Sequence, residues 1–301
     1  MPSDRESSTP SVFALVLNWN RLDFTGACCQ SLERLDAKAG LHVIVIDNAS
    51  TAHTPDDLKR ACPKARVLAL SRNGGFAYGM NAGIRLALSE RAEFIWLLNN
   101  DTVCKPGALT SLLACMKDPA VGIASSRLIQ ASPASGNDKA PAPLVYRGGL
   151  SARPPFYIPF PVREDSRPDF LCGASLLMRS SAVRQIGPLD EGFPFFFEDA
   201  DYSFRAKKAG WELAETSAAD IIHKGSATIG RMDGRKARWY RLGHVRFLRR
   251  HGCLPFVTSL PPLFWRLLVD TARLNGPALV GSVTGWAAGW KSDLSIKGAI
   301  E

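Results

Sequence analysis

The sequence predicts an α/β protein with a mostly parallel central sheet flanked by helices and a C-terminal helical extension. Three observations predict it. Short apolar runs of strand length alternate with longer helix-like segments through the first half of the chain. The residues directly after each run are unusually polar, as expected where strands end at one edge of an open sheet. The chain has 301 residues, 46% hydrophobic and 22% charged, enough to bury a large core.

The runs are residues 12–17, 42–46, 66–70 and 94–98. They are followed by Asn18-Trp19-Asn20-Arg21, Asp47-Asn48-Ala49-Ser50, Ser71-Arg72-Asn73-Gly74-Gly75 and Asn99-Asn100-Asp101-Thr102. Right-handed crossovers between parallel strands would bring these four ends to a common edge. Residues 131–143, rich in Pro, Ala, Ser and Gly, predict a loop, and 151–167, rich in Pro and charge, an excursion from the sheet. A strand at 170–178, a helix at 181–186, the segment GFPFFFEDADYSFRAKKAGWEL, a short strand at 220–223 and a loop at 224–230 complete the main unit. The expected division is a polar tail at 1–10, one domain at 11–230 and a basic, apolar extension at 231–301.

Net charge is +9, and much of the excess lies at 231–250, where Arg235, Lys236, Arg238, Arg241, Arg246 and Arg249 surround Trp239, Tyr240 and Phe247. An anionic neighbour is expected there. Seven cysteines without C-x-x-C spacing argue against a disulfide framework or a zinc cluster and favour a reduced, cytoplasmic location. The N-terminus lacks the basic flank and apolar run of a signal peptide. Residues 274–290 are uncharged, but Gly276, Pro277, Gly281, Gly285 and Gly289 favour a surface-lying tail over a spanning helix.

Several strand ends carry candidate chemistry. Asp47 stands where a carboxylate either caps a turn or accepts hydrogen bonds from a ribose or base edge. Asn99, Asn100 and Asp101 form either a plain β-turn or a polar edge; a hard cation, Mg²⁺ or Mn²⁺, takes few carboxylates and fills its shell with water and phosphate oxygens. Asn73-Gly74-Gly75-Phe76 opens an amphipathic segment ending near Glu90, either an ordinary loop-to-helix turn or a helix N-terminus that binds an anion. Glu198, Asp199 and Asp201 begin a helix after residues 193–197, a run rich in phenylalanine. Acidic residues suit a first turn, yet carboxylates beside aromatic rings also gain proton affinity, as a general base requires. His223 is either structural or completes a metal shell, and Lys224, Ser226 and Thr228 after it could bind phosphate.

Taken in order, VLNWNR, VIVIDNAS, SRNGGFAYGMNAGIRLAL, FIWLLNNDT, LCGASLLMRSSAVRQIGPLDEGFPFFFEDADYSFRAKKAGW and HKGSAT resemble glycosyltransferase family 2, in the group that includes rhamnosyltransferase-like enzymes of polysaccharide synthesis. The resemblance spans roughly residues 12 to 230. It implies a GT-A fold and an inverting transferase of the cell envelope. Such an enzyme moves a sugar from a nucleotide diphosphate, with dTDP-rhamnose the candidate donor, onto a glycan or lipid-linked acceptor. By the resemblance, Asn18, Asn20, Asp47, Asn73, Gly75, Asn99 and Asn100 lie on the donor side. Asp101 closes the motif that holds a divalent metal, with His223 approaching the metal or diphosphate. Asp199 is the base, and Gly173, Ala174 and Glu198 lie on the acceptor side. The metal motif is Asn-Asn-Asp in place of Asp-x-Asp, a variant of the rhamnosyltransferase-like group.

The basic, aromatic extension suits peripheral contact with the cytoplasmic face of a membrane bearing a lipid-diphosphate acceptor. A nicotinamide-dependent oxidoreductase would need G-x-G-x-x-G after the first strand, where this chain has NWNRLDFTG. No nucleic-acid partner is expected, because the positive cluster is local and no helix-turn-helix or zinc pattern accompanies it. Retention of Asp47, Asp101 and Asp199 argues against an inactive sugar-binding relative.

Overall fold

The structure, a computed structural model, describes residues 9–36, 39–130, 144–146, 149–161, 167–224 and 233–299. The first half runs β1 (Ser11–Asn18), α1 (Leu22–Leu32), β2 (Gly40–Asp47), α2 (Pro55–Ala61), β3 (Arg66–Ala69), α3 (Phe76–Ser89) and β4 (Phe94–Asn99). Next come β5 (Thr102–Cys104), α4 (Ala108–Cys115), β6 (Val121–Gln130) and β7 (Leu144–Tyr146), then β8 (Gly149–Ser151), β9 (Phe160–Pro161) and β10 (Phe170–Leu171). The rest is β11 (Ser175–Arg179), α5 (Ser180–Ile186), α6 (Glu198–Lys208), β12 (Glu212–His223), α7 (Gly234–His251), α8 (Pro255–Ala272) and α9 (Gly276–Lys291).

The main sheet is ordered β3-β2-β1-β4-β11-β6-β12-β5, with β7 beside β6, and β10-β8-β9 form a small second sheet. β1 to β4 are parallel, β6 pairs parallel to β12, and β11 runs against both β4 and β6. β1 shows why its sequence is one apolar run: Val12, Ala14 and Val16 enter the core on one face, Phe13 and Leu15 that on the other. Helices cover both faces, so neither set of side chains meets water. Burying a side chain such as Leu15 or Ile46 stabilises the fold by roughly 1.5–3 kcal/mol.

Two predicted strands need correction. The apolar stretch 170–178 is two strands in different sheets, because the chain turns at Gly173, whose N–H donates to Asp199 Oδ2 at 2.9 Å. The strand expected at 220–223 is the end of a 12-residue strand, β12. Its polar middle jumps register between Thr216 and Asp220, which hid it from a hydrophobic pattern. Residues 1–8, the loop at 131–143, residues 162–166 and the stretch with Ser226 and Thr228 lie outside the described residues.

The extension is helical, and its glycines have a packing role. A Cβ on Gly281 would lie 2.0 Å from the Gly234 carbonyl oxygen, and one on Gly285 2.3 Å from that of Arg238. Helices α7 and α9 therefore meet backbone to backbone, possible only where side chains are missing. Among the described residues no helix is long and apolar enough to cross a membrane.

The cationic cluster is also corrected. Arg246 donates to Asp190 Oδ2 at 2.6 Å, Arg249 to the Gly289 and Ser292 carbonyls at 2.7 Å each, and Arg241 to the Pro262 carbonyl at 3.1 Å. Guanidinium forks turned inward satisfy helix-end carbonyls and buried carboxylates. Of the cluster, Arg235 and Arg238 stay exposed and Lys236 partly so.

Candidate active site

The parallel register sets Asn18 beside Asp47 and Leu17 beside Asn99, so three strand ends share one edge. Asp47 is buried there and accepts from Asn18 Nδ2 at 3.0 Å and Ser50 Oγ at 2.5 Å. Asn18 Oδ1 in turn accepts from Thr25 Oγ1 at 2.7 Å. Asn20, in the left-handed region at φ 57°, accepts from the Thr51 and Ala52 N–H groups at 2.7 and 2.9 Å. This network fixes the loop after β2.

The loop before α3 is pinned from the same side. Asn48 Nδ2 donates to Asn73 Oδ1 at 3.0 Å and to the Gly75 carbonyl at 3.1 Å. Gly75 starts α3 at φ 89°, a conformation that favours glycine. A hydrophobic face buries Met80, Ile84 and Leu88 below it.

The Asn99–Asp101 turn joins β4 to β5, and β5 pairs with β12 so that Thr102 stands opposite His223. This pairing brings His223 Nε2 to 3.2 Å from Asp101 Oδ1. That oxygen is buried and accepts no hydrogen bond from the described residues. A cavity of about 730 Å³ opens over this edge. Its size falls within the range of small-molecule sites. Asn73, Gly75, Asn99, Asn100, Asp101 and His223 all line it. Asn18, Asn20 and Asp47 are absent from its wall and hold its loops instead.

The lining also includes residues that sequence reasoning did not assign to the site: Trp19, Arg21 and Asn48 beside the strand ends, and Phe195, Arg235, Arg238 and Trp239. Two signals pointed to them. Trp19 is a large aromatic directly after a strand, and the RKARW run mixes cations with an aromatic ring; Arg235 lies over the Trp239 ring at 5.1 Å.

The carboxylates of α6 do not line the cavity and have three different environments. Asp199, part-exposed, accepts from the Gly173 N–H at 2.9 Å and the Ala200 N–H at 2.8 Å. Burial holds its carboxyl above the ordinary aspartate value, against the pull of those N–H groups. Glu198 is more deeply buried, and its Oε2 has no hydrogen bond among the described residues. Burial, and then the neighbouring Asp199, raise it well above the usual range. The thiol of Cys172 is pushed up to about 12 by burial first and then by the charge of Asp199, with Glu198 and Asp101 adding less. Gly173 has little room for a larger residue, since a Cβ would come within 3.3 Å of the Asp199 Cβ. The Ala174 carbonyl accepts from the Asn99 N–H at 3.1 Å, which ties this corner to the cavity floor.

Asp201 is fully buried and committed elsewhere. Arg250 donates to it at 2.7 Å, Arg205 at 2.8 Å, and His251 lies at 2.9 Å. Burial raises its pKa but is outweighed by His251, Arg205 and Arg250, so the carboxyl sits below the usual range. A lowered folded pKa means that its stabilising contribution is present above the unfolded value and fades as pH falls below it. Asp201→Asn should cost about 3–5 kcal/mol, because uncompensated cations remain inside. An unchanged denaturation midpoint would show that this hub does not hold the fold.

The sequence model of glycosyl transferase family 2 matches residues 14–186. The chain belongs to glycosyl transferase family 2. The transferase is 30% identical over 211 residues to the N-acetylglucosaminyl-diphospho-decaprenol L-rhamnosyltransferase of Mycobacterium tuberculosis, covering 63% of this chain and 68% of that relative. Its fold resembles the mannosyltransferase PcManGT from Pyrobaculum calidifontis in complex with GDP-Man and Mn²⁺, with a TM-score of 0.58 and 15% identity over 96% of this chain and 88% of that one. It also resembles GalNAc-T7 with UDP, GalNAc and Mn²⁺, with a TM-score of 0.63 and 12% identity over 95% of this chain and 57% of that one. These two likenesses establish the GT-A fold. The α/β expectation, the family and the enzyme class are borne out.

Proposed function

We propose that this glycosyltransferase is an inverting enzyme that moves a sugar from a nucleotide diphosphate sugar, with dTDP-rhamnose the candidate donor, onto a glycan or lipid-linked acceptor at the cytoplasmic face of a membrane. The observation that carries the reading is Asp101 Oδ1, a buried carboxylate oxygen without a hydrogen bond from the described residues, facing His223 on the floor of an open cavity.

A divalent ion, Mg²⁺ or Mn²⁺, fits this pair. A hard cation takes one carboxylate and an imidazole and fills its shell with water and phosphate oxygens, which explains why two protein side chains suffice. Asp101 and His223 would hold it, and when bound it offsets charge on the leaving diphosphate. Asn73, Gly75 and the free N–H groups opening α3 suit the phosphates. Asp47, steadied by Asn18 and Asn20, suits the nucleoside side. Asp199 takes the proton of the acceptor hydroxyl as that oxygen bonds to the sugar and the sugar–phosphate bond breaks on the opposite face. Glu198, Gly173 and Ala174 shape the acceptor side. Arg235 and Arg238, with no carboxylate partner among the described residues, make their part of the lining suit an acceptor that carries phosphate. The rhamnosyltransferase relative is named for such an acceptor, a diphospho-decaprenol.

Thermal shift with UDP-, dTDP- and GDP-sugars, each with and without Mn²⁺ or Mg²⁺, tests the reading. A ligand at 100 times its Kd stabilises the folded state by about 2.7 kcal/mol, so the preferred donor should raise the melting temperature only with metal present. No shift with any nucleotide sugar would sink the proposal.

A further inference from the structure

Helix α8 is amphipathic with its faces reversed. Its polar residues point inward: Thr258, Ser259 and Asp270 are buried. Asp270 is held by Arg266 at 2.6 and 2.7 Å, and Ser259 Oγ accepts from Trp286 Nε1 at 2.9 Å. Most of its large apolar residues point outward, Leu263 being buried. Leu254, Val257, Phe264, Trp265 and Leu268 are spaced three, seven, one and three residues apart, which at about 100° per residue sets them on one side of the helix as a stripe, with Trp265 69% and Leu268 66% exposed. Leu274, just beyond the helix, is 92% exposed. A contiguous patch of this kind marks an interaction surface, whereas scattered apolar residues would not.

The charge balance of the extension selects what covers the stripe. Between Asp233 and Asp293 the only carboxylate is Asp270, already paired with Arg266. Arg235, Arg238, Arg273 and Lys291 are exposed and have no carboxylate partner among the described residues. A second copy docked about a two-fold axis would set this patch against itself and bring like charges together. An anionic lipid surface matches both features, since apolar side chains enter the headgroup boundary while cations meet the lipid phosphates.

We propose that the outer face of α8 inserts into the headgroup zone of an anionic membrane. Helix α8 runs back along α7, where Arg241 donates to the Pro262 carbonyl at 3.1 Å. The docked helix would therefore hold the α7 wall of the cavity, with Arg235, Arg238 and Trp239, at a fixed distance from the lipid surface. This assigns the membrane contact to an apolar helix face of a cation-rich extension and goes beyond sugar transfer.

The test sediments the full chain with phosphatidylcholine vesicles, with and without phosphatidylglycerol, across a salt series. The native protein should prefer the phosphatidylglycerol vesicles and be weakened on them by salt. Trp265→Glu/Leu268→Glu should bind about tenfold less or worse, since two inserted apolar side chains are lost. Both residues are exposed, so an unchanged melting temperature will confirm that the variant is folded. Brominated lipid chains should quench the fluorescence of the native protein more than that of Trp265→Phe. Equal sedimentation of the double variant and the native protein, or a vesicle-free dimer that the double variant abolishes, would overturn the proposal. None of these readouts uses turnover, so they fail or succeed independently of the transferase reading.

Discussion

Asp199→Asn is expected to lower kcat by about 10²–10⁴-fold, the usual contribution of a positioned general base, with little change in affinity for the nucleotide sugar. An acceptor hydroxyl is a poor nucleophile until its proton has somewhere to go. The asparagine oxygen can still accept from the Gly173 N–H, now at 2.9 Å from Asp199 Oδ2, but its amide nitrogen then replaces the oxygen that accepts the Ala200 N–H at 2.8 Å, so the variant loses its basicity and one backbone hydrogen bond, and its melting temperature is measured beside kcat. The pH profile should show the same group. Burial raises the Asp199 pKa, and the base acts when deprotonated. Turnover should therefore be full at higher pH and fall, as pH drops, through a value above that of free aspartate. In Asp199→Asn that acid limb should vanish. Retained turnover in Asp199→Asn with loss in Glu198→Gln would move the base one residue earlier.

Asp101→Ala is expected to abolish stabilisation by Mn²⁺ in the presence of a nucleotide diphosphate and to cut kcat/KM at least about 100-fold. Charge stabilisation by a bound cation is worth several kcal/mol, and each 1.36 kcal/mol is a factor of ten. The melting-temperature arm needs no turnover: native protein should gain stability from Mn²⁺ with the diphosphate, and the variant should not. Among the described residues Asp101 Oδ1 has no hydrogen bond to lose, only the His223 Nε2 contact at 3.2 Å, so without metal the variant should melt close to the native protein. His223→Ala should weaken the same shift. Full activity of the native enzyme in excess chelator would remove the metal from the mechanism.

The half of the fold that carries the strand-end chemistry was legible for a physical reason. β1, β2 and β4 are covered on both faces, so their sequences read as apolar runs, and their polar ends stand out against them. Gly75 could be placed at the start of α3 from sequence, and its φ of 89° explains why a glycine is there. What stayed hidden depends on distant partners. Asp199 and Asp201 are chemically identical and two residues apart, yet Arg250 and His251, some fifty residues on, commit only the second. The cations of α7 read as one surface cluster because a sequence does not show which guanidinium groups turn inward to Asp190 and to the carbonyls of α9. Arg235 and Arg238, on the first turns, remain for the cavity wall.

Asp190 bears on how this enzyme can be recombined. Its carboxylate accepts from Arg246 at 2.6 Å and Arg250 at 2.8 Å, and from the Lys297 N–H at 3.1 Å, while it also receives the Gly192 N–H at 2.8 Å. One side chain thus clamps the loop that supplies Phe195 to three points spread over the last fifty or so residues of the chain. A chimera that exchanges everything after residue 230 to acquire a different acceptor preference would inherit two anionic sockets, Asp190 and Asp201, cut for arginines it no longer carries. Successful grafts must import the arginines at 246 and 250 together with the new helices, or replace both aspartates at once; the C-terminal helices of this transferase are not an interchangeable module.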